Sequence, residues 1–111
     1  MGYIGCHLSA SAGNLAMVRT ACSIGANTFA FFTRNPRGAK PLDVADCAAA
    51  VDVLKRENFG KLVAHGSYTM NLCTADSALR DHSCTVFCDD LRRLAEIPGN
   101  YYNFHPGCHV G

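Results

Sequence analysis

A chain of 111 residues that is 49% hydrophobic and 17% charged has the composition of one globular domain, which excludes a disordered or low-complexity segment. A formal net charge of +1 excludes the global basic field that announces a nucleic-acid partner, so any such binding has to be local. Seven cysteines, an odd number with no export signal ahead of the first strand-like run, point to reduced thiols in a cytoplasmic protein, and no apolar run approaches the roughly 18 residues that span a bilayer.

Tyr3 to Leu8 is a β-rich apolar run, followed by the small-residue loop Ser9-Ala10-Ser11-Ala12-Gly13. Asn14 is the expected N-cap of a first helix in which Leu15, Val18 and Cys22 recur at helical spacing, with Gly25 just past its end. Thr28-Phe29-Ala30-Phe31-Phe32 is too short for a helix and reads as a strand buried on both faces of a parallel sheet. The Pro/Gly loop from Thr33 to Pro41 carries Arg34, Arg37 and Lys40. It reads as a solvated connection or a phosphate-contacting loop, and composition alone favours the first.

Asp43 is expected to cap a second helix, with Asp46 at the capping-box position and Gly60 at its close. Val44, Cys47, Val51 and Leu54 form the apolar stripe of that helix. Leu62-Val63-Ala64-His65 is a third strand, Gly66 to Thr74 a loop, and Asp76 opens a third helix with Leu79, Val86, Phe87, Leu91 and Leu94 on one face. Pro98-Gly99-Asn100 breaks it, and Tyr101-Tyr102-Asn103-Phe104 is a fourth strand that ends at His105. The order βαβαβαβ predicts an α/β fold with a parallel sheet and right-handed crossovers, either doubly wound or part of a (β/α) barrel. Neither a Gly-x-Gly-x-x-Gly nor a P-loop pattern follows the first strand, which weakens a nucleotide-binding reading. A whole barrel needs about 250 residues, so these 111 residues, with four strands and three helices, are expected to be a fragment.

Two of the strands end in histidine, His65 before Gly66-Ser67 and His105 before Pro106-Gly107. As parallel neighbours they would lie about 4.8 Å apart, and both imidazoles would project from the carboxyl edge, where α/β barrels keep their active sites. That is close enough to share a zinc ion at Zn–N distances of about 2.0–2.1 Å. A single strand-end histidine is more often a solvated cap, and it is the pairing that favours ligation. His7 closes the first strand and is read as a strand-end cap ahead of a hydrogen-bonding or ligand role at the metal, and His109, beyond the Pro-Gly turn, is read as either polar lining beside it or surface. His82-x-Cys84-x3-Cys88 could be taken for a zinc knuckle, but a helix sets residues 84 and 88 on one stripe and points residue 82 away, and no Cys-x2-Cys pair is present. Cys6, Cys22 and Cys47 are expected as small core residues.

Tyr-Ile-Gly-Cys-His-Leu-Ser-Ala at 3–10, Phe-Phe-Thr-Arg-Asn-Pro-Arg at 31–37, His-Gly-Ser-Tyr-Thr-Met-Asn-Leu at 65–72 and Asn-Phe-His-Pro-Gly-Cys-His at 103–109 together resemble endonuclease IV, in the order and spacing of that family's N-terminal part. The resemblance implies that residues 1–111 are the N-terminal portion of a TIM (β/α)8 barrel, and that the whole barrel cuts double-stranded DNA on the 5′ side of abasic sites in base excision repair. It also implies three zinc ions held by His, Asp and Glu at the strand ends. Carried over by position, His65 and His105 match the first two zinc ligands. Arg37 matches a minor-groove probe, Asn35 its loop neighbour, and Tyr68 an aromatic that helps open the duplex at the lesion.

The sequence departs from the family where Gly66 replaces an acidic residue, Thr69 an apolar one and Cys73 a small one, and where Gly38 and Ala39 replace Gln and Trp. Gly66 is expected to loosen the hydrogen bonding around His65, and Thr69 to make a weaker wedge. The family's carboxylate ligands come from later strands, so at most a partial zinc site and little activity are expected of these residues alone. A metal-dependent sugar isomerase or epimerase of the same barrel superfamily, and a non-catalytic Cys/His metal-binding module, are the alternatives. No membrane association and no obligate protein partner are expected.

Overall fold

The computed structural model describes residues 2–35 and 40–108. The elements follow the expected alternation: β1 (His7–Leu8), α1 (Asn14–Ser23), β2 (Ala30–Phe32), α2 (Val44–Arg56), β3 (Val63–His65), α3 (Ser77–Ala95) and β4 (Tyr101–Asn103). The four strands form one sheet in the order β1-β2-β3-β4, every pair parallel.

Strand alternation divides the sheet into two unlike faces. Phe29, Phe31, Leu62 and Ala64 are buried against Met17, Val18 and Ala21 of α1 and Cys47 and Ala50 of α2, with Leu8 and Tyr102 packed alongside. The opposite face carries His7, Ala30, Phe32, Val63, His65 and Tyr101, none of them buried. Aromatic and β-branched residues thus sit on both faces of the strands, and only one of those faces is covered by helices. The strands are shorter than the apolar runs that announce them. Even so, the backbone of residues 4–6 still reaches its neighbour, through Asn27 N to Ile4 O at 3.1 Å and Ala30 N to Cys6 O at 3.1 Å.

Several local expectations are corrected. Gly13, not Asn14, is the N-cap of α1, and it offers no side-chain cap. The Asp46 carboxylate does that work from α2, accepting from Asn14 N at 2.6 Å and Leu15 N at 3.2 Å. Asp43 caps α2 as expected, accepting from Asp46 N at 3.0 Å. The carboxyl of Asp46 is one methylene shorter than that of Glu and turns to the nearby donors of α1 instead of closing a capping box. Helix α2 ends at Arg56, with Asn58 at φ 55° in the left-handed role assigned to Gly60. Gly60 serves a different purpose: a Cβ there would lie 2.5 Å from the Tyr3 ring.

Helix α3 is capped by Asp76, which accepts from Leu79 N at 3.1 Å, and its inward stripe is only partly the one expected: Phe87 packs on Tyr102 and Leu94 on the core. Leu79 and Leu91 are exposed, whereas Ser83 and Asp90 are buried. Cys6 and Cys22 are exposed rather than core residues; only Cys47 is buried, and burial pushes its thiol pKa up. His82, Cys84 and Cys88 all lie exposed on α3. No helix among the described residues is long and apolar enough to cross a membrane.

Candidate functional site

The register places His65 level with Phe32 on β2 and Asn103 on β4, and His105 follows two residues later, on the same side by strand alternation. Four rings line this carboxyl edge. His7 and Phe32 have centroids 4.8 Å apart, Phe32 and His65 5.1 Å, and His65 and His105 5.4 Å. The structure therefore brings His65 and His105 together. It sets His7 one ring further away, behind Phe32. Arg37 and His109 lie outside the described residues.

His65 Nδ1 is 2.6 Å from the carbonyl oxygen of Gly66. A carbonyl can only accept, so Nδ1 holds the proton and the lone pair of the neutral ring lies on Nε2, the tautomer a metal ligand needs. The backbone of Gly66, where the sequence points to looser hydrogen bonding around His65, supplies the carbonyl oxygen that His65 Nδ1 meets. The space a side chain would take is filled by the Tyr102 hydroxyl, which would lie 2.4 Å from a Cβ at Gly66. Among the described residues no group of three His, Cys, Asp or Glu side chains could hold a metal ion.

The loops that carry the two histidines are stitched together. Gly66 N donates to Asn103 O at 2.8 Å and Leu72 N to Pro106 O at 2.9 Å. Asn71 binds the 105–108 turn twice, its Nδ2 donating to Cys108 O at 3.1 Å and its Oδ1 accepting from Cys108 N at 3.2 Å. Gly107 has φ 109°, and a Cβ on it would sit 2.0 Å from Asn71 Oδ1, so only glycine fits this turn. The loop is anchored to α3 through Asn71 N and Ser83 Oγ at 3.0 Å. Ser67 is buried and its hydroxyl lies 2.7 Å from that of Thr69. From this fixed base Tyr68 projects into solvent, 69% exposed.

At the end of β2, Arg34 turns inward. It pairs with Asp89, and its Nε donates to Asp90 Oδ1 at 2.9 Å. Asp90 Oδ2 accepts from the Tyr102 hydroxyl at 2.7 Å. Burial and then this bond push the Tyr102 phenol well above its usual range. The hydrogen bond from Arg93, at 2.8 Å, holds the Asp89 carboxyl below the usual carboxylate range against the cost of desolvation. Arg34 is therefore committed to the protein, not to an outside phosphate. Lys40 donates to Ser11 O at 2.8 Å. Asn35 is exposed and borders a cleft of about 850 Å³ between the loops after β1 and β2, whose wall includes His7, Phe32, Arg34 and Lys40.

The sequence alone gives no supporting role to the residues behind this edge. Asp90 falls in the charged run Asp89-Asp90-Leu91-Arg92-Arg93, which reads as a solvated helix face. The one signal for it is the seven-residue spacing Ser83, Asp90, Ile97, three residues that are all buried. Asn71 and Tyr102 carry no such signal.

The sequence profile of the xylose isomerase-like TIM barrel family matches residues 18–111. The chain is 53% identical to a protein of Akkermansia muciniphila named probable endonuclease 4, an alignment that covers 100% of this chain and 41% of that relative. It is 50% identical to a protein of the same name from Alkaliphilus oremlandii, over 96% of this chain and 39% of the relative. The crystal structure of endonuclease IV from Thermus thermophilus superposes with a TM-score of 0.84 at 30% identity, over 98% of this chain and 42% of the other. The resemblance to endonuclease IV is thus borne out, and the chain spans about two fifths of the length of these relatives. With that profile match running over most of its length, the chain belongs to the xylose isomerase-like TIM barrel family.

Proposed function

We propose that this chain contributes the first two metal ligands and part of the DNA-facing edge of a zinc-dependent endonuclease that hydrolyses the phosphodiester 5′ to abasic sites in base excision repair. The observation that carries this reading is the pair His65 and His105, with rings 5.4 Å apart at the carboxyl edge and the Nδ1 of His65 already occupied by Gly66 O. The donor chemistry fits the ion: zinc takes neutral imidazole nitrogen readily, but two imidazoles leave a tetrahedral shell half filled. The remaining ligands, carboxylates among them, would come from the part of such an enzyme that corresponds to the rest of the relatives' length. When bound, clustered zinc supplies a hydroxide nucleophile and neutralises charge on the attacking and leaving oxygens.

The residues of the chain have separate tasks in this proposal. His65 and His105 hold metal. Tyr68, exposed beside them, presses into the base stack at the lesion, while Asn35 and Arg37 follow the minor groove from the loop after β2. His109 lends a hydrogen bond beside the metal, and His7, behind Phe32, lines the cleft. A sugar isomerase of the same barrel class would share histidine-ended strands and a divalent ion but would have no use for Arg37 or Tyr68. The names of the relatives, endonuclease 4 and endonuclease IV, favour the nuclease.

The test is a hybrid in which these 111 residues replace the corresponding segment of the Akkermansia relative. It should nick a duplex carrying one abasic site at a chelator-sensitive rate, whereas the chain alone should not rise above background. His65→Ala or His105→Ala in the hybrid should lower the rate by about 100-fold or more. Undiminished nicking in both variants would sink the assignment. Unchanged DNA affinity after Tyr68→Ala and Arg37→Ala would remove the DNA-facing roles and reopen the isomerase.

A further inference from the structure

We propose that Tyr102 is a positioning residue for His65, acting through Gly66 and held in place by the buried Asp90 carboxylate and its ion-pair partner Arg34. The inference rests on the reading of His65 as a metal ligand.

The contacts form one unbroken path. The Tyr102 hydroxyl fills the niche at the Gly66 α-carbon, where a Cβ would meet Tyr102 Oη at 2.4 Å, Tyr102 Cζ at 3.1 Å and the Met70 methyl at 3.3 Å. The phenol cannot drift away from that niche. Its ring lies 5.8 Å from Phe104 in a stacked arrangement and 5.6 Å edge-on from Phe87. Its proton is donated to Asp90 Oδ2 at 2.7 Å. Asp90 is 0% exposed, and its other oxygen accepts from Arg34 Nε at 2.9 Å.

Gly66 is the residue whose carbonyl oxygen fixes the His65 ring. Its N–H is tied to Asn103 O at 2.8 Å, but nothing in a glycine itself limits rotation about the bond that aims the carbonyl. A hydroxyl packed against the α-carbon supplies that limit. If it is removed, Gly66 is free to turn its carbonyl away, the Nδ1 proton loses its acceptor, and the lone pair is no longer confined to Nε2. A histidine that must ligate through Nε2 then has to recover that tautomer before it binds, which weakens the metal. The path also begins at Arg34, the residue just before Asn35, so the brace behind the metal edge and the start of the DNA-facing loop share one buried carboxylate.

A merely structural role for Tyr102, satisfying Asp90 and nothing more, predicts lost stability without any change at His65. The two are separated by long-range ¹⁵N–¹H correlation spectra of His65, recorded without metal on the 111-residue chain at a pH where the ring is neutral. The wild type should show the Nδ1–H form and Tyr102→Phe a mixture weighted towards Nε2–H, and the zinc affinity of the hybrid enzyme, measured by competition with a chromophoric chelator, should fall about tenfold. Gly66→Ala should do the same by pushing from the other side. Adding Tyr102→Phe to Gly66→Ala should recover part of the loss, because the clashing oxygen is gone.

If Tyr102→Phe folds and keeps the Nδ1–H form, the proposal is overturned, whatever happens to stability. If that variant does not fold, Gly66→Ala asks the same question, and an unchanged tautomer there overturns it equally. The tautomer is read without zinc, so this outcome is distinct from the failure of the metal reading, in which His65→Ala would leave zinc binding unaltered.

Discussion

The carboxyl edge of the sheet is built in two manners. On the side of β3 and β4 the loops are short of freedom: Gly66 is bonded to Asn103, Leu72 to Pro106 and Asn71 to Cys108, and a buried serine anchors the loop that bears Tyr68. On the side of β1 and β2 the strand is two residues long, His7 is exposed, and the loops border a cleft of about 850 Å³. Under the proposed function the contrast suits a division of labour: metal ligands would have to be held within a few tenths of an ångström before the ion arrives, whereas a surface receiving a bent duplex would gain from room. Rigidity on one side comes from buried polar groups, which are costly unless each finds its partner.

Breaking a partner on the rigid side should therefore have the largest effect. Asp90→Ala leaves the Tyr102 hydroxyl without its acceptor and the half-buried Arg34 guanidinium with Asp89 alone, and should cost about 3 kcal/mol in urea unfolding. A loss under about 1 kcal/mol would mean that water replaces the carboxylate and that this side is less closed than described. Gly107→Ala comes next. It meets Asn71 Oδ1 at 2.0 Å from a residue at φ 109° and should cost about 2 kcal/mol, with the ¹H–¹⁵N signals of residues 71–73 moving in step with those of the 105–108 turn.

The pH dependence sharpens the same side. Burial and the bond to Asp90 raise the Tyr102 phenol above its usual value of 10.0, so the folded state holds this proton more tightly than the unfolded one. The stabilisation is complete below pH 10 and is lost as pH rises towards the raised value. Unfolding midpoints between pH 9 and 11 should fall with this slope, and Tyr102→Phe should flatten it. On the opposite side the expected effects are small. Thr33 Oγ1 is buried without a hydrogen-bond partner among the described residues, so Thr33→Val should stabilise by about 1 kcal/mol. His7→Ala, at an exposed strand end, should change stability by less than about 0.5 kcal/mol. An effect at His7 as large as that at Asp90 would erase the distinction between the two sides.

The order of elements was legible because each relies on short-range chemistry. Apolar runs of four or five residues, the caps Asp43 and Asp76, and the break at Pro98-Gly99 mark their own positions. The pair His65 and His105 was legible for a related reason: both end an apolar run, and parallel pairing of neighbouring runs carries them to one edge. What could not be read was polar and long-range. The carboxylate of Asp90 is buried because Arg34, 56 positions away, reaches it, and no local pattern distinguishes it from the half-exposed Asp89 beside it. Leu79 and Leu91 read as inward because they are apolar, yet the helix turns Ser83 towards Asn71 and Asp90 towards Tyr102 and leaves these two leucines exposed. Asp46 was read within its own helix and acts on another.

That last contact bears on how the chain comes apart. Because the first two amides of α1 are satisfied by a carboxylate that belongs to α2, the opening βα unit does not carry its own helix start and borrows it from the unit that follows. The amides of Asn14 and Leu15 should then exchange with solvent in concert with those of α2 and not with the short strand that precedes them, so that the two units open as one cooperative block.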